Sequence, residues 1–279
     1  MPEAPKLSLV VITKNEETNI AGCLESARGL VDEMIVVDDE SADRTREIAE
    51  QCGARVFVRR MDLEGRHRNW AASRALHDWV FLLDADERAT PELVREIQGL
   101  WEKRDEETVA FWIRSRNFLG NRELRYGGWS AGHLRLYDRT QTRWKELSED
   151  VVHPGIEIKE GCRGIELTQP LIHYNYRHVE DFIRKVNRQS TLEAVKLHLQ
   201  GKRLTLAVGL WRAFDRFWKR YVYKMGFRDG YYGFLAAFLS GFYQLAAYSK
   251  LREIQERGIY LEETGQKAKS QNAKVKVPS

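Results

Sequence analysis

Short apolar blocks alternate along the first hundred residues with stretches whose apolar positions recur at helical spacing. "LSLVVIT" (7–13), "EMIVVDD" (33–39), "ARVFV" (54–58) and "WVFLLD" (79–84) are rich in β-branched and large apolar side chains. Unbroken runs this short predict strands buried on both faces. After the first, "NEETNIAGCLESA" sets Ile20, Cys23, Leu24 and Ala27 on one stripe, with Asn15 as its predicted cap. Ser41 or Asp43 is predicted to cap a second helix that Gly53 ends, and residues 66–78 predict a third. Thr90 and Pro91 form an N-cap and N1 pair ahead of a stripe of Leu93, Ile97, Leu100 and Trp101.

Strand–helix alternation of this kind predicts an α/β fold with parallel strands and right-handed crossovers. Ligands in such sheets sit at the carboxyl ends of the strands. Three of the four runs end in polar clusters there: Thr13-Lys14-Asn15-Glu16, Asp38-Asp39-Glu40-Ser41 and Asp84-Ala85-Asp86-Glu87. The fold therefore gathers clusters from distant parts of the sequence along one sheet edge.

The texture changes further on. From about 109 to 175, "VAFWIRSRN" and "HLRLYD" alternate like strands among glycine-punctuated loops. From His178 the pattern is helical, with Val179, Phe182, Ile183 and Val186 in a stripe and Gly201 as a C-cap. Residues 203–226 and 230–257 read as two more helices, and 261–279 as a disordered basic tail. The predicted organisation is an α/β domain over 1–177, divided into halves at 1–105 and 106–177, with a helical extension over 178–260.

Two acids one residue apart at a strand end repel each other, and a divalent cation relieves that repulsion. Magnesium-type ions take one or two carboxylates and complete their shell with substrate phosphates. Asp84 and Asp86 thus suit a metal-bound diphosphate, with magnesium or manganese as the cation. Helix capping is the bland alternative for Asp86 and Glu87, but Thr90 already fills that role.

Composition narrows the picture little. The 279 residues carry a net charge of +4 and 43% hydrophobic residues. That supports a sizeable core and gives no electrostatic signature of nucleic-acid binding. Cys23, Cys52 and Cys162 are too few and too widely spaced for a disulfide framework or a zinc site. The start of the chain runs directly into a strand with no secretory-signal pattern, so a cytoplasmic location is expected.

"LSLVVITKNEETNI", "MIVVDDESADRT", "RHRNWA" and "DWVFLLDADE" resemble the GT-A nucleotide-sugar domain of family 2 inverting glycosyltransferases. "FWIRSRNFLGNRELRYGGW", "HLRLYD", "PLIHYNY", "KVNRQSTLEA" and "KMGFRDGYYG" are similar to the subgroup that includes lipopolysaccharide-core glucosyltransferases. The resemblance implies a hexose moved from a nucleotide sugar, UDP by expectation, to a glycan or lipid-linked acceptor. It implies that Thr13, Asn15 and Glu16 lie near the nucleoside and that Asp38 meets the base, with Asp39 and Ala85 completing the donor site. The resemblance further implies that Arg68, backed by Asn69, lies near the nucleotide, that Asp84 sits by ribose or metal, and that Asp86 ligates the metal.

The subgroup often carries Val-His-Glu in the region of "ELSEDVVHPGIEI", where this chain has Val152-His153-Pro154. Proline cannot take a proton, so Asp150, then Glu149, is the expected base. His153 and His173 are candidates for metal or diphosphate contacts, against the commoner reading of packed histidines. Trp129 is a candidate stacking floor for a sugar, or a core residue. Arg135 is a candidate for reaching donor phosphates or acceptor.

The helical extension mixes Arg212, Arg216, Lys219, Arg220 and Lys224 with Trp211, Phe214, Phe217 and Trp218. "GYYGFLAAFLSGFYQLAAYSKL" (230–251) follows, nearly apolar all round but a poor bilayer span. Peripheral contact with the inner face of the cytoplasmic membrane and packing in a homodimer are both expected of it. Two rivals to an enzyme of this family stay open: a non-catalytic scaffold that keeps the fold, and an Asp-x-Asp phosphatase.

Overall fold

The predicted strands are β1 (Leu7–Thr13), β2 (Glu33–Asp38), β3 (Arg55–Val58) and β4 (Trp79–Asp84). They pair in parallel in the order β3-β2-β1-β4, so the first, second and fourth strand ends are neighbours. This is seen in a computed structural model that describes residues 4–101, 104–146 and 155–257. Side chains alternate across the pleat. Leu9, Val11, Phe81 and Leu83 pack on one face with Ile20 and Leu24 of α1 (Ile20–Ala27) and Leu93 and Ile97 of α4 (Pro91–Leu100). Val10, Ile12, Val80 and Leu82 pack on the other with Ala71 and Ala72 of α3 (Glu64–Ser73). The remaining crossover helix, α2 (Thr45–Gln51), joins β2 to β3.

Two local expectations change and one holds. Asn15 does not cap α1, which starts at Ile20. It stands at φ 54, donates its N–H to Ser41 Oγ (2.8 Å) and accepts from Ala42 N–H (2.8 Å). The residue thus ties the β1 exit to the β2 exit. The third helix spans Glu64–Ser73 rather than 66–78. Beyond it, Leu76 N–H reaches the buried Glu33 carboxylate (2.9 Å) and His77 N–H reaches Ser8 Oγ (3.3 Å), which draws the chain off the helix axis and into β4. Thr90 does cap α4, accepting from Leu93 N–H at 3.1 Å.

The second half of this unit extends the sheet. After the two-residue β5 (Glu87–Arg88) come β6 (Thr108–Leu119), β7 (Arg122–Leu124), β8 (Gly132–Asp138), β9 (Thr142–Trp144), β10 (Ile156–Ile158), β11 (Arg163–Glu166) and β12 (Leu171–Tyr176). β8 runs antiparallel between β4 and β6, β12 lies beside β6, and β5 closes on β12.

The second unit begins at His178. His178 caps α5 (Val179–Leu199), and Gly201, at φ 66, follows its end. The helix expected over 203–226 is α6 (Leu206–Trp218), continued by a π-helical turn (Lys219–Tyr223) and a corner at Met225, φ 57. α7 (Gly230–Arg257) returns along it. Among the described residues, no helix is long and apolar enough to cross a membrane.

Candidate active site

The parallel order brings the three polar clusters together as predicted. Thr13 pairs in register with Asp38, and Ile12 with Asp84. Asp38 is fully buried and accepts from the N–H (2.8 Å) and hydroxyl of Ser41, with Arg46 Nε at 3.7 Å. Asp39 takes Lys14 Nζ at 3.0 Å and Met61 N–H at 2.8 Å. Glu16 N–H binds Thr45 Oγ1 at 2.8 Å. These bonds fold both loops into one fixed rim.

The fourth strand end is denser. Arg135 reaches across from β8 and places Nη2 2.7 Å from both Asp84 Oδ2 and Glu87 Oε1. Its side chain is only 5% exposed, so it is not open to phosphates or acceptor as expected: it bridges two carboxylates from within. Arg68 approaches the other Asp84 oxygen at 3.6 Å, donates to Glu64 at 2.8 Å and lies 4.9 Å above the Trp144 ring. At 11% exposure it is no solvated helix residue.

Burial pushes the Asp84 carboxyl up, but Arg135 and Arg68 outweigh burial and hold it well below the usual carboxylate range. Glu87, fully buried beside Asp84, is pushed up despite Arg135. The cluster therefore keeps Asp84 firmly ionised, and Glu87 less so.

His173 enters through strand pairing. Glu87 and Arg88 in β5 pair with His173 and Ile172 in β12, and Tyr174 N–H binds Asp86 O at 2.9 Å. The imidazole Nε2 then lies 3.3 Å from Asp86 Oδ1. Burial lowers the His173 pKa, but the bond to Asp86 and the surrounding acids raise it further, so the net shift is upward.

Arg88, which carried no signal in the sequence, braces the turn. It donates to the carbonyls of Ala85 (3.0 Å), Glu87 (2.8 Å) and Asn19 (2.8 Å). Gly22 leaves it room: a Cβ there would fall 2.8 Å from Arg88 Nε. Ala85 is buried at 3% exposure between the two acids.

Asn69 holds Trp144 by both backbone groups (2.8 and 3.0 Å) and also donates to Glu146 at 2.8 Å. It so fixes the chain that leads to the expected base. Glu149, Asp150 and His153 lie outside the described residues. Trp129 is half-buried, edge-on to Tyr176 at 6.2 Å and 87°. A separate cleft of about 650 Å³, lined by Tyr137, Arg139, Thr142, Arg143 and Lys159 among others, lies beyond the carboxyl end of β8 and holds none of the strand-end acids.

Among the described residues, Thr13 Oγ1, His67 Nε2 and Arg68 Nη1 are buried without a hydrogen-bond partner. Buried polar groups are rarely left so, and Thr13, in register with Asp38, and Arg68, beside Asp84, offer atoms that a polar ligand would complete.

The model of Glycosyl transferase family 2 matches residues 8–157, more than half of the chain, and the protein belongs to that family. The fold is accordingly the GT-A nucleotide-sugar fold. An uncharacterized glycosyltransferase of Rickettsia felis is 29% identical over 262 residues, covering 89% of this chain and 90% of that protein. The lipopolysaccharide core biosynthesis glycosyltransferase LpsC of Rhizobium meliloti is 28% identical over 275 residues, covering 90% and 93%. Among solved structures, glucosyl-3-phosphoglycerate synthase from Mycobacterium tuberculosis, in complex with Mn2+, UDP and phosphoglyceric acid, aligns with a TM-score of 0.34 and 24% identity. That likeness is confined to 40% of this chain and 43% of that one.

Proposed function

We propose that this protein is an inverting hexosyltransferase that moves a sugar from a UDP-linked donor to a glycan acceptor of the lipid-linked or lipopolysaccharide type. Family membership carries the transferase part and sets the phosphatase reading aside. The observation that carries the donor site is the strand-end cluster. Asp84 is held ionised by two arginines, Asp86 faces His173, and Thr13 and Arg68 keep unmet polar atoms beside them. The acceptor class rests on the similarity to LpsC.

The residues fit a divalent cation, with a change to the expected ligand pair. Both Asp84 oxygens face guanidinium groups, at 2.7 and 3.6 Å, so we assign the metal to Asp86 and His173, with Asp84 supporting them. One carboxylate and one imidazole leave most of an octahedral shell to diphosphate oxygens and water. When bound, a magnesium or manganese ion supplies Lewis-acid stabilisation of the leaving diphosphate.

The chain's own groups do the rest. Arg68 Nη1 is a fixed donor whose charge opposes the negative charge growing on the leaving group. A carboxylate takes the acceptor hydroxyl's proton as that oxygen attacks the anomeric carbon from the face opposite the diphosphate, which inverts the configuration. Asp150 is the proposed base, with Glu149 second.

A thermal-shift panel of UDP-, GDP- and dTDP-sugars, each with and without manganese, tests the donor site. Stabilisation by UDP compounds that grows with metal is expected, and a flat response across the panel would overturn the reading. Asp150→Asn and Glu149→Gln test the base separately: if both keep wild-type turnover, neither is the base. A protein that binds donor but neither transfers nor hydrolyses the sugar would instead be the scaffold that Pro154 leaves open. For the helical unit we propose contact with a membrane surface, peripheral on the inner face, rather than a homodimer.

A further inference from the structure

The second unit leaves an aromatic face open. On α6 and its π-helical turn, Trp211, Phe214, Trp218 and Val222 fall on one stripe and are 64%, 53%, 50% and 37% exposed. Trp211 lies 6.1 Å from Phe214, which stacks on Trp218 at 5.9 Å. Tyr231, Phe234, Phe238 and Phe242 form a second exposed stripe on α7.

The helices meet closely along their seam. A Cβ on Gly241 would come within 2.8 Å of Ala213 O, and one on Gly209 within 2.7 Å of the Tyr248 ring. At these two glycines the seam takes only the Ala213 carbonyl and the Tyr248 ring, and Trp211, Phe214 and Trp218 lie outside it. The exposed rings flank a groove of about 330 Å³ lined by Phe214, Phe217, Phe234, Phe238, Phe242 and Leu245, among others.

Charge selects the occupant. Residues 203–229 hold seven Lys or Arg against two Asp, whereas 230–249 hold no charged residue. Lys219 and Lys224 are exposed on the stretch that carries the aromatic face, and Arg216 is exposed on another flank of α6. A two-fold interface built on this face would bring the same basic residues of two copies toward each other. An anionic bilayer offers phosphates to the cations and an apolar boundary to the rings, the combination that suits a basic amphipathic helix lying in the interface plane.

We propose that the aromatic face of α6 and α7 docks on an anionic phospholipid bilayer, rings at the headgroup–acyl boundary and basic side chains on the lipid phosphates. The docking deepens the acceptor half of the proposed function and rests on it for its purpose. Its test reads membrane binding alone, so either can fail without the other.

The test is flotation of the full-length protein with vesicles of phosphatidylcholine, alone or with phosphatidylglycerol in equal parts. Binding to the anionic vesicles that weakens with salt is expected. Lys219→Glu with Lys224→Glu is expected to lower that partition about twentyfold or more, at about fivefold per basic residue. Trp211→Ser with Phe238→Ser is expected to abolish it. These side chains are exposed, and an unchanged melting temperature and far-ultraviolet circular dichroism confirm that the variants fold. Equal binding to neutral and anionic vesicles, binding to neither, or wild-type binding by the serine pair would each overturn the proposal. So would a dimer, seen by light scattering, that the serine pair splits while vesicle binding is absent, since the face would then be a self-interface.

Discussion

Arg135 places one cation between two carboxylates, Glu87 wholly buried and Asp84 about a third exposed. Asp84 and Glu87 both end on its Nη2 at 2.7 Å, and Glu87 is fully buried. Removing one partner of a buried ion cluster leaves the others uncompensated, at a cost of about 3–5 kcal/mol. Arg135→Met is therefore expected to lose that much stability in urea denaturation; a loss under about 1 kcal/mol would show that Arg68 alone suffices for Asp84. A second residue gives a pH signature. His67 is fully buried, accepts from Arg59 Nη1 at 2.7 Å through Nδ1, and is pushed down to about 4, first by burial and then by Arg59. Its folded pKa lies below its ordinary 6.5, so its contribution is complete above pH 6.5 and is lost as pH falls toward 4. The loss approaches about 3 kcal/mol at 1.36 kcal/mol per unit. His67→Gln is expected to flatten the stability profile between those two pH values, and a profile parallel to wild type would refute the assignment. Neither residue was legible in the sequence as what it is. Asp84 and Glu87 announce themselves by ending a buried strand, but Arg135 meets them from 51 and 48 residues away, and only the antiparallel placement of β8 makes that contact.

At the scale of elements, what could be read followed from period and burial. The four parallel strands were legible because a strand covered on both faces must be apolar throughout, and the sheet edge followed because crossovers of one hand align the strand ends. β5 was not legible, for two residues carry no period, yet its pairing with β12 is what sets His173 beside Asp86. The end of α3 was missed for a related reason. Its pattern continues, but the buried Glu33 and Ser8 capture the N–H groups of Leu76 and His77. The segment "KVNRQSTLEA" of α5 marked the subgroup without explaining itself. Lys250 of α7 supplies the reason: its ammonium lies 2.6–2.9 Å from Asn187 O, Asn187 Oδ1, Ser190 Oγ and Thr191 Oγ1. An ammonium ringed by four oxygens pins α7 to α5 above the apolar cluster of Ala194, Val195, Leu251 and Ile254. Hydrogen bonds to charged groups contribute about 1.5–3 kcal/mol. Lys250→Met is expected to cost about 2 kcal/mol and to speed amide exchange in the last turns of α7. Unchanged exchange there would mean that the apolar cluster holds the pair by itself.

For the whole molecule, donor binding and stability are one equilibrium. A ligand that binds only the folded chain stabilises it by about 2.7 kcal/mol at a hundred times its dissociation constant. In a chain of this size each kcal/mol raises the melting temperature by about 2–4 °C. Saturating UDP with manganese is therefore expected to raise it by about 5–10 °C. The decisive comparison separates the metal from the nucleotide. Thr13, Asn15 and the β2 exit form a rim whose bonds do not involve Asp86, whereas Asp86 and His173 share the metal assignment. Asp86→Asn should erase the manganese-dependent part of the shift and leave the part that UDP gives alone. Should the variant lose both parts equally, Asp86 would be holding the rim together and the metal would need other ligands. Should it lose neither, the cation would sit away from this strand end, and the carboxylates of "FLLDADE" would serve only the arginine cluster that already surrounds them.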